Sequence, residues 1–124
     1  MRLNKLQKVA VSALEDIKAV DIKVLDVRKL TSFYDALIIA TAESNRQAKS
    51  LAHHVRDRLK EAGATIIGVE GEESGEWVLV DCGDLVVHVM QPAIRAYYNL
   101  EELWEAPRTL RGAAQRIRAT REAA

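Results

Sequence analysis

Apolar residues recur at helical spacing in two stretches of this chain. The first stripe consists of Leu3, Leu6, Ala10, Ala13, Leu14 and Ile17. Its spacing predicts an amphipathic helix over about residues 4–18. The second stripe consists of Ala48, Leu51, Ala52, Val55 and Leu59. Ser44 and Gln47 precede it in a capping-box pattern and Gly63 follows it, so a second long helix should lie between Ser44 and Gly63.

β-Branched and other apolar residues predict five strands between and after these helices. The predicted strands cover residues 22–27, 36–40, 64–69, 77–81 and 84–90. Pro92 cannot continue a central strand but fits the first turn of a helix, so a short helix should follow it and carry Tyr98 and Trp104. We therefore expect an α/β fold, a single domain in which helices pack on a mixed five-stranded sheet.

The last two strands form a hairpin whose faces differ in composition. One face carries Val78, Val80, Leu85, Val87 and Val89. The other, which we call the mixed face, carries Trp77, Leu79, Asp81, Val86, His88 and Met90. A turn centred on Cys82 and Gly83 pairs Trp77 with His88, and Asp81 with the other aspartate of the turn. A bulged turn with Gly83 in the left-handed conformation is the alternative and shifts the register by one residue. Composition favours the unshifted register, with the aliphatic face against helices and Trp77 partly exposed.

Composition and charge indicate one cytoplasmic domain with an acidic body and a basic tail. The chain has 124 residues, of which 48% are hydrophobic. Residues 1–105 contain 13 basic and 17 acidic residues, whereas residues 106–124 contain five arginines and one glutamate. An acidic body disfavours contact with phosphates. The charge of the arginine-rich C-terminal tail after Pro107 can meet RNA phosphates, although a solvated surface helix is the more common explanation for such a segment. A single cysteine excludes an internal disulfide, and neither a targeting segment nor a membrane-length apolar run is seen.

The residue types give little support for catalysis. Asp81 and Asp84 bracket a turn and can hold Mg²⁺ for phosphoryl transfer, but aspartates are common in turns and no glycine-rich phosphate loop accompanies them. His53 and His54 are adjacent on a helix and point in different directions, which excludes an i, i+4 metal pair. We expect no catalytic residue, no metal and no cofactor.

Most of the aromatic residues cluster beside acidic residues near the C-terminal end of the predicted domain. They are Trp77, Tyr97, Tyr98 and Trp104. Trp and Tyr supply much of the binding energy of protein interfaces, and carboxylates complement basic partners. The pattern predicts a protein-binding module rather than an enzyme.

Seven short motifs between residues 35 and 104 are specific in combination. In chain order they are Asp35-Ala36-Leu37-Ile38-Ile39, Ser44-Asn45-Arg46-Gln47, Val69-Glu70-Gly71, Trp77-Val78-Leu79-Val80-Asp81, Gly83-Asp84, Val87-His88-Val89 and Tyr98-Asn99-Leu100-Glu101-Glu102-Leu103-Trp104. Together they resemble the ribosomal silencing factor family, also called the Iojap family, over about residues 6–104. The resemblance implies a nucleotidyltransferase-like fold without catalytic activity in residues 1–105. The tail, residues 106–124, inherits nothing from it.

The resemblance also implies a function and a partner. It implies a translational repressor that binds the large ribosomal subunit through ribosomal protein fourteen, sterically blocks joining of the small subunit and lowers translation under nutrient limitation. Members of this family can be homodimers when free. We expect the partner-binding surface to consist of Glu70, Trp77, Leu79, Asp81, Asp84, His88, Met90, Tyr98 and Trp104. The alternative is a divergent metal-dependent nucleotidyltransferase that uses Asp81 and Asp84.

Overall fold

The structure, a computed structural model, describes residues 3–105 and the side chains of residues 5–104. In chain order the elements are α1 (Leu3–Asp16), β1 (Val20–Asp26), β2 (Ala36–Thr41), α2 (Asn45–Glu61), β3 (Gly68–Glu70), β4 (Trp77–Asp81), β5 (Leu85–Met90), α3 (Pro92–Tyr98) and α4 (Leu100–Glu105). The predicted α/β fold with a mixed five-stranded sheet is confirmed. None of the helices in residues 3–105 has both the length and the apolar character needed to span a membrane. The predicted arginine-rich tail, residues 106–124, lies outside the described residues.

The strand order of the sheet is β1-β2-β5-β4-β3. The central strands β2 and β5 run parallel, and the other neighbouring pairs are antiparallel. Parallel neighbours need a long crossover connection, and α2, β3 and β4 lie within the one that joins β2 to β5. All residues of β2 and β5 are buried because helices cover both faces of these strands. This double burial explains their nearly continuous aliphatic sequence.

Alternate residues of the hairpin enter two separate cores. The first core lies under α1 and α2 and receives Val78, Val80, Leu85, Val87 and Val89. The second core lies under α3 and α4 and receives Trp77, Leu79, Val86 and Met90, together with Leu100 and Trp104. The predicted division into an aliphatic face and a mixed face is therefore confirmed.

The pairing within the hairpin differs from both sequence-based alternatives. Trp77 pairs with Met90, and Leu79 pairs with His88. The register is thus displaced by two residues from the expected one, in which Trp77 faced His88. A displacement of two residues returns every side chain to the same face, whereas a displacement of one would have exchanged the faces. The predicted faces were correct for this reason, although the predicted pairing was wrong.

The turn of the hairpin explains the displacement. It is centred on Gly83 and Asp84, because the Cys82 N–H donates to the carbonyl of Leu85 at 2.9 Å. The Asp81 Oδ1 atom accepts a hydrogen bond from the Gly83 N–H at 2.8 Å and fixes the start of this turn. Gly83 has a φ of +84°, a conformation that glycine adopts without steric cost. The left-handed Gly83 was anticipated, but together with a one-residue shift that does not occur.

The single helix predicted after Pro92 is divided into α3 and α4. Asn99 lies between them in the left-handed conformation, with a φ of 48° and a ψ of 54°, which asparagine adopts more readily than most residues. The change of direction brings Leu100 and Trp104 of α4 onto the second core. The helices therefore form a cover over the mixed face that the sequence pattern did not predict.

Candidate functional site

Five of the nine residues expected to bind a partner are buried. They are Trp77, Leu79, His88, Met90 and Trp104. Trp77 is only 4% exposed, so the expectation of a partly exposed Trp77 is wrong. The physical reason is that α3 and α4 cover the mixed face, with the ring centroid of Tyr98 at 4.8 Å from that of Trp77. These five side chains stabilise the fold and do not form an open surface.

Trp77 and His88 form a buried polar pair on the mixed face. The indole Nε1–H donates to Nδ1 of His88 at 3.0 Å. A ring nitrogen that accepts a hydrogen bond carries no proton, so the imidazole of His88 holds its proton on Nε2. The pair satisfies an indole donor inside the core, where an unsatisfied donor would be costly. His88 is thus a packed strand histidine.

Arg95 of α3 connects the cover to the sheet, and sequence reasoning did not find this role. Its Nη1 atom donates to the carbonyl of Asp21 at 2.6 Å and to Oγ1 of Thr41 at 2.8 Å. Its Nε and Nη2 atoms donate to the two carboxylate oxygens of Glu101, each at 3.1 Å. One guanidinium therefore contacts β1, the end of β2, and α4. The planar fork of arginine suits such a two-sided arrangement.

The other four expected residues lie at the rim of the mixed face and do not all converge. Glu70 is half-buried on the edge strand β3, opposite Leu79. Asp81 and Asp84 lie on the same hairpin turn, where Asp81 is half-buried and Asp84 is exposed. Tyr98 is half-buried at the opposite end of β4, beside Trp77. The structure brings the two aspartates together and separates them from Tyr98 by the length of a strand.

The two histidines of α2 pair with carboxylates rather than with a metal ion. No group of three His, Cys, Asp or Glu side chains in the described part of the chain is placed to hold a metal ion. His53 contacts Glu72, whereas Nε2 of His54 lies 2.9 Å from Oδ2 of Asp16. The two histidines point in different directions, as predicted. They link α2 to the loop before β4 and to the end of α1.

Cys82 on the hairpin turn is a poor nucleophile. Burial raises the pKa of its thiol from an ordinary value of 9.0 to about 11, and the negative charge of Asp81 adds to the rise. The thiolate is the reactive form of cysteine, and little of it is present near neutral pH.

Three side chains are the most exposed large apolar ones of the described residues, and sequence reasoning singled out only one of them, Tyr97. Phe33 is 63% exposed, Ile67 is 66% exposed and Tyr97 is 81% exposed. Phe33 lies in the connection before β2. Ile67 lies just before β3, in a segment that was predicted as part of a strand over residues 64–69, but β3 is confined to Gly68–Glu70. Tyr97 lies on α3, and its ring contacts Tyr98 edge-on at 5.0 Å. Such residues are identified only once the strand order is known.

Charge is unevenly divided along the folded chain. Residues 1–61 contain twelve basic and eight acidic residues, whereas residues 62–105 contain nine acidic residues and one basic residue. That basic residue, Arg95, is paired with Glu101. The part of the chain from β3 to α4 is therefore strongly acidic and complements a basic protein surface.

Comparisons with known proteins agree on one family. The family model described as ribosomal silencing factor during starvation matches residues 1–124. The chain is 59% identical over 104 residues to the ribosomal silencing factor of Chromobacterium violaceum, covering 84% of this chain and 85% of that protein. It is 38% identical over 108 residues to that of Bacillus subtilis, covering 86% and 92%. A crystal structure of a Chromobacterium violaceum protein superposes with a TM-score of 0.83 at 57% identity, covering 86% and 88%.

Proposed function

Because this chain belongs to the ribosomal silencing factor family, we propose that it is a translational repressor acting on the large ribosomal subunit. It binds that subunit through ribosomal protein fourteen and sterically blocks joining of the small subunit. The consequence is lower translation under nutrient limitation. The protein acts in a bacterial-type cytoplasm, is a homodimer when free, and makes a weak ribosomal RNA contact through its arginine-rich tail.

The family match over the whole chain carries this proposal. The relatives are named for silencing of the ribosome, and the chain covers most of their length. The acidic stretch from residue 62 to residue 105 supports a protein partner with a basic surface. The same carboxylates disfavour a nucleic-acid partner for this part of the molecule, because phosphates would be repelled.

The proposed role is regulatory rather than enzymatic. In the alternative, a metal-dependent nucleotidyltransferase, Asp81 would be a metal ligand. In the structure Asp81 accepts a hydrogen bond from the Gly83 N–H and shapes the hairpin turn. This contact gives Asp81 a structural role in the turn. Incubation with nucleoside triphosphates and Mg²⁺ or Mn²⁺ should yield no product above a buffer control. Turnover that is lost in Asp81→Asn would contradict the proposal and favour the nucleotidyltransferase.

The decisive experiment is a reconstituted joining assay. Purified large and small ribosomal subunits are mixed with increasing amounts of the protein and separated on a sucrose gradient. The protein should travel with free large subunits, and the fraction of joined ribosomes should fall as its concentration rises. Purified ribosomal protein fourteen in excess should compete for the repressor and restore joining.

Two results would contradict the proposed function. The first is a protein that remains at the top of the gradient at every concentration. The second is a protein that binds large subunits but leaves joining unchanged, because steric blocking requires the bound protein to occupy the joining surface. If the protein blocks joining but excess ribosomal protein fourteen does not restore it, only the identification of ribosomal protein fourteen as the contact is rejected.

A further inference from the structure

We propose that this protein docks on a basic patch of a large-subunit ribosomal protein through one end of the sheet, where the β4–β5 turn lies. We call this end the turn surface. The turn surface consists of Phe33, Asp35, Ile67, Asp81 and Asp84. This inference rests on the proposed function, because it names the residues and the partner chemistry of the same interaction. It replaces the buried mixed face as the candidate for contact.

Backbone hydrogen bonds hold these residues together at the β4–β5 turn. The N–H of Asp35 donates to the carbonyl of Asp84 at 2.8 Å, which brings the segment before β2 to one side of the turn. The N–H of Ile67 donates to the carbonyl of Asp81 at 2.7 Å and brings the segment before β3 to the other side. The strand order β2-β5-β4-β3 requires the same arrangement. Two exposed apolar side chains thus flank an acidic turn.

The two exposed apolar side chains, Phe33 and Ile67, are held in position by contacts with other residues. The ring of Phe33 lies 6.2 Å from the ring of Tyr34, and buried Tyr34 packs edge-on against Trp104 at 5.9 Å. The Cδ1 atom of Ile67 lies 3.2 Å from the position that a Cβ on Gly83 would occupy, so Ile67 rests on the turn. Side chains that are already positioned lose less conformational entropy on binding. An aromatic ring in such a position is the usual anchor of a protein interface.

The charges of the turn surface specify a cationic partner. Asp84 is exposed on the turn, and Asp35 and Asp81 are half-buried on its two sides. Arg28, a cation of the neighbouring loop, pairs with Asp26, with Nη2 at 2.7 Å from Oδ2, and its charge also attracts that of Asp35. Asp84 therefore carries most of the available negative charge of the surface. Lysine and arginine side chains suit this surface because their carbon stems pack on apolar groups while their charged ends meet carboxylates. Arginine can also stack on the ring of Phe33.

The test compares matched variants for binding to purified large ribosomal subunits and to purified ribosomal protein fourteen. The docking variants are Phe33→Ala, Ile67→Ala and Asp84→Lys. The controls are Val24→Ala, which shortens an exposed apolar side chain on β1, and Glu61→Lys, which reverses an exposed charge at the end of α2. Thermal unfolding of every variant confirms that it folds. Affinities are measured at two salt concentrations.

Phe33→Ala should weaken binding at least about tenfold, as expected for an interface anchor. Asp84→Lys should weaken binding and reduce its dependence on salt, since an attraction becomes a repulsion. Ile67→Ala should weaken binding several-fold, and both controls should stay within about twofold of wild type. If Phe33→Ala and Asp84→Lys both fold and bind large subunits as tightly as the wild-type protein, this inference is overturned. The proposed function would remain intact.

Two further outcomes separate the inference from its premise. If wild-type protein does not bind large subunits at all, the proposed function and this inference fall together. If Phe33→Ala abolishes self-association in analytical ultracentrifugation but leaves subunit binding unchanged, the turn surface is a contact between copies, and docking through it is rejected. If Phe33→Ala loses both self-association and binding to large subunits, the result supports docking through a surface that also mediates self-association.

Discussion

Trp77 shows how one residue can be placed on the correct face and still be assigned the wrong role. Its position on the mixed face follows from strand alternation, but its exposure depends on whether that face is covered. The cover consists of α3 and α4, and the turn at Asn99 between them directs α4 onto the face. Nothing in the alternation of a strand reports what packs above it. The aromatic cluster that suggested a binding surface is mainly a second core.

Shortening Trp77 should therefore reduce stability before it affects binding. Trp77→Ala should lower the free energy of unfolding by about 3–5 kcal/mol, because it leaves a cavity in the second core. Trp77→Phe should lower it by about 1–3 kcal/mol, because Nδ1 of His88 loses the indole donor. Urea unfolding followed by circular dichroism measures both values. Exposed Tyr97→Ala is the control and should change stability by less than about 0.5 kcal/mol. A Trp77→Ala variant as stable as this control would contradict the burial of Trp77.

The thiol of Cys82 should react slowly with alkylating reagents in the folded protein. With its pKa raised from 9.0 to about 11, the thiolate fraction at pH 8 should be roughly a hundredfold lower than that of the unfolded chain. A raised pKa favours the protonated form, so the stability contribution of Cys82 is complete below pH 9 and is lost as the pH rises toward 11. Labelling with iodoacetamide, with and without urea, measures the difference. Equal labelling rates would show that the thiol is not protected by burial.

At the scale of elements, the sequence predicts those features that depend on interactions between residues close together in the chain. The start of α2 is an example, because Ser44 Oγ accepts from the N–H of Gln47 at 3.0 Å as its capping pattern requires. Gln47 in turn accepts from the N–H of Glu43, one residue before the cap. The hairpin pairing was not predictable in the same way, since one hydrogen bond from Gly83 to Asp81 selects between turns of similar composition. Competition between such turns depends on side-chain geometry rather than on residue type.

The attachment of α3 and α4 to the sheet should depend on the guanidinium of Arg95. Arg95→Ala removes its contacts to Asp21, Thr41 and Glu101 and should lower the free energy of unfolding by about 1–3 kcal/mol. Arg95→Lys should recover little of this loss, because an ammonium group cannot make the two parallel bonds to Glu101. Hydrogen exchange should show faster opening of α4 in both variants, with α1 and α2 unchanged.

The matched control for this prediction is Arg28→Ala. Arg28 also makes a two-point contact with a carboxylate, that of Asp26, but both side chains are exposed. Water and salt screen such a pair, so its removal should have no measurable effect on stability. If α4 in Arg95→Lys is protected from hydrogen exchange as strongly as in the wild-type protein, Arg95 acts only through its charge and not through its geometry.

At the scale of the whole molecule, the sequence predicted the fold class and two aspartates of the proposed turn surface, Asp81 and Asp84, but not its apolar residues. Phe33 and Ile67 are far apart in the chain and lie outside the strands of the sheet, in the connections before β2 and β3. They flank the same turn only because β5 and β4 lie between β2 and β3 in the sheet. Strand order of this kind is a long-range property that local patterns do not encode. The acidic stretch that surrounds Asp84 could have been read directly, since residues 62–105 contain a single basic residue.

The arginine-rich tail should affect binding more than folding. Among the described residues, Trp104 is the last side chain that belongs to either core. Deletion of residues 106–124 should therefore leave the Tm nearly unchanged. The deletion removes a net charge of +4, so any loss of affinity for large ribosomal subunits should shrink as salt is raised. Gradient sedimentation of the full-length and truncated proteins at low and high salt measures this effect. A truncated protein that fails to fold would show that the domain extends beyond residue 105, and a loss of binding independent of salt would show that the tail contributes specific contacts rather than charge.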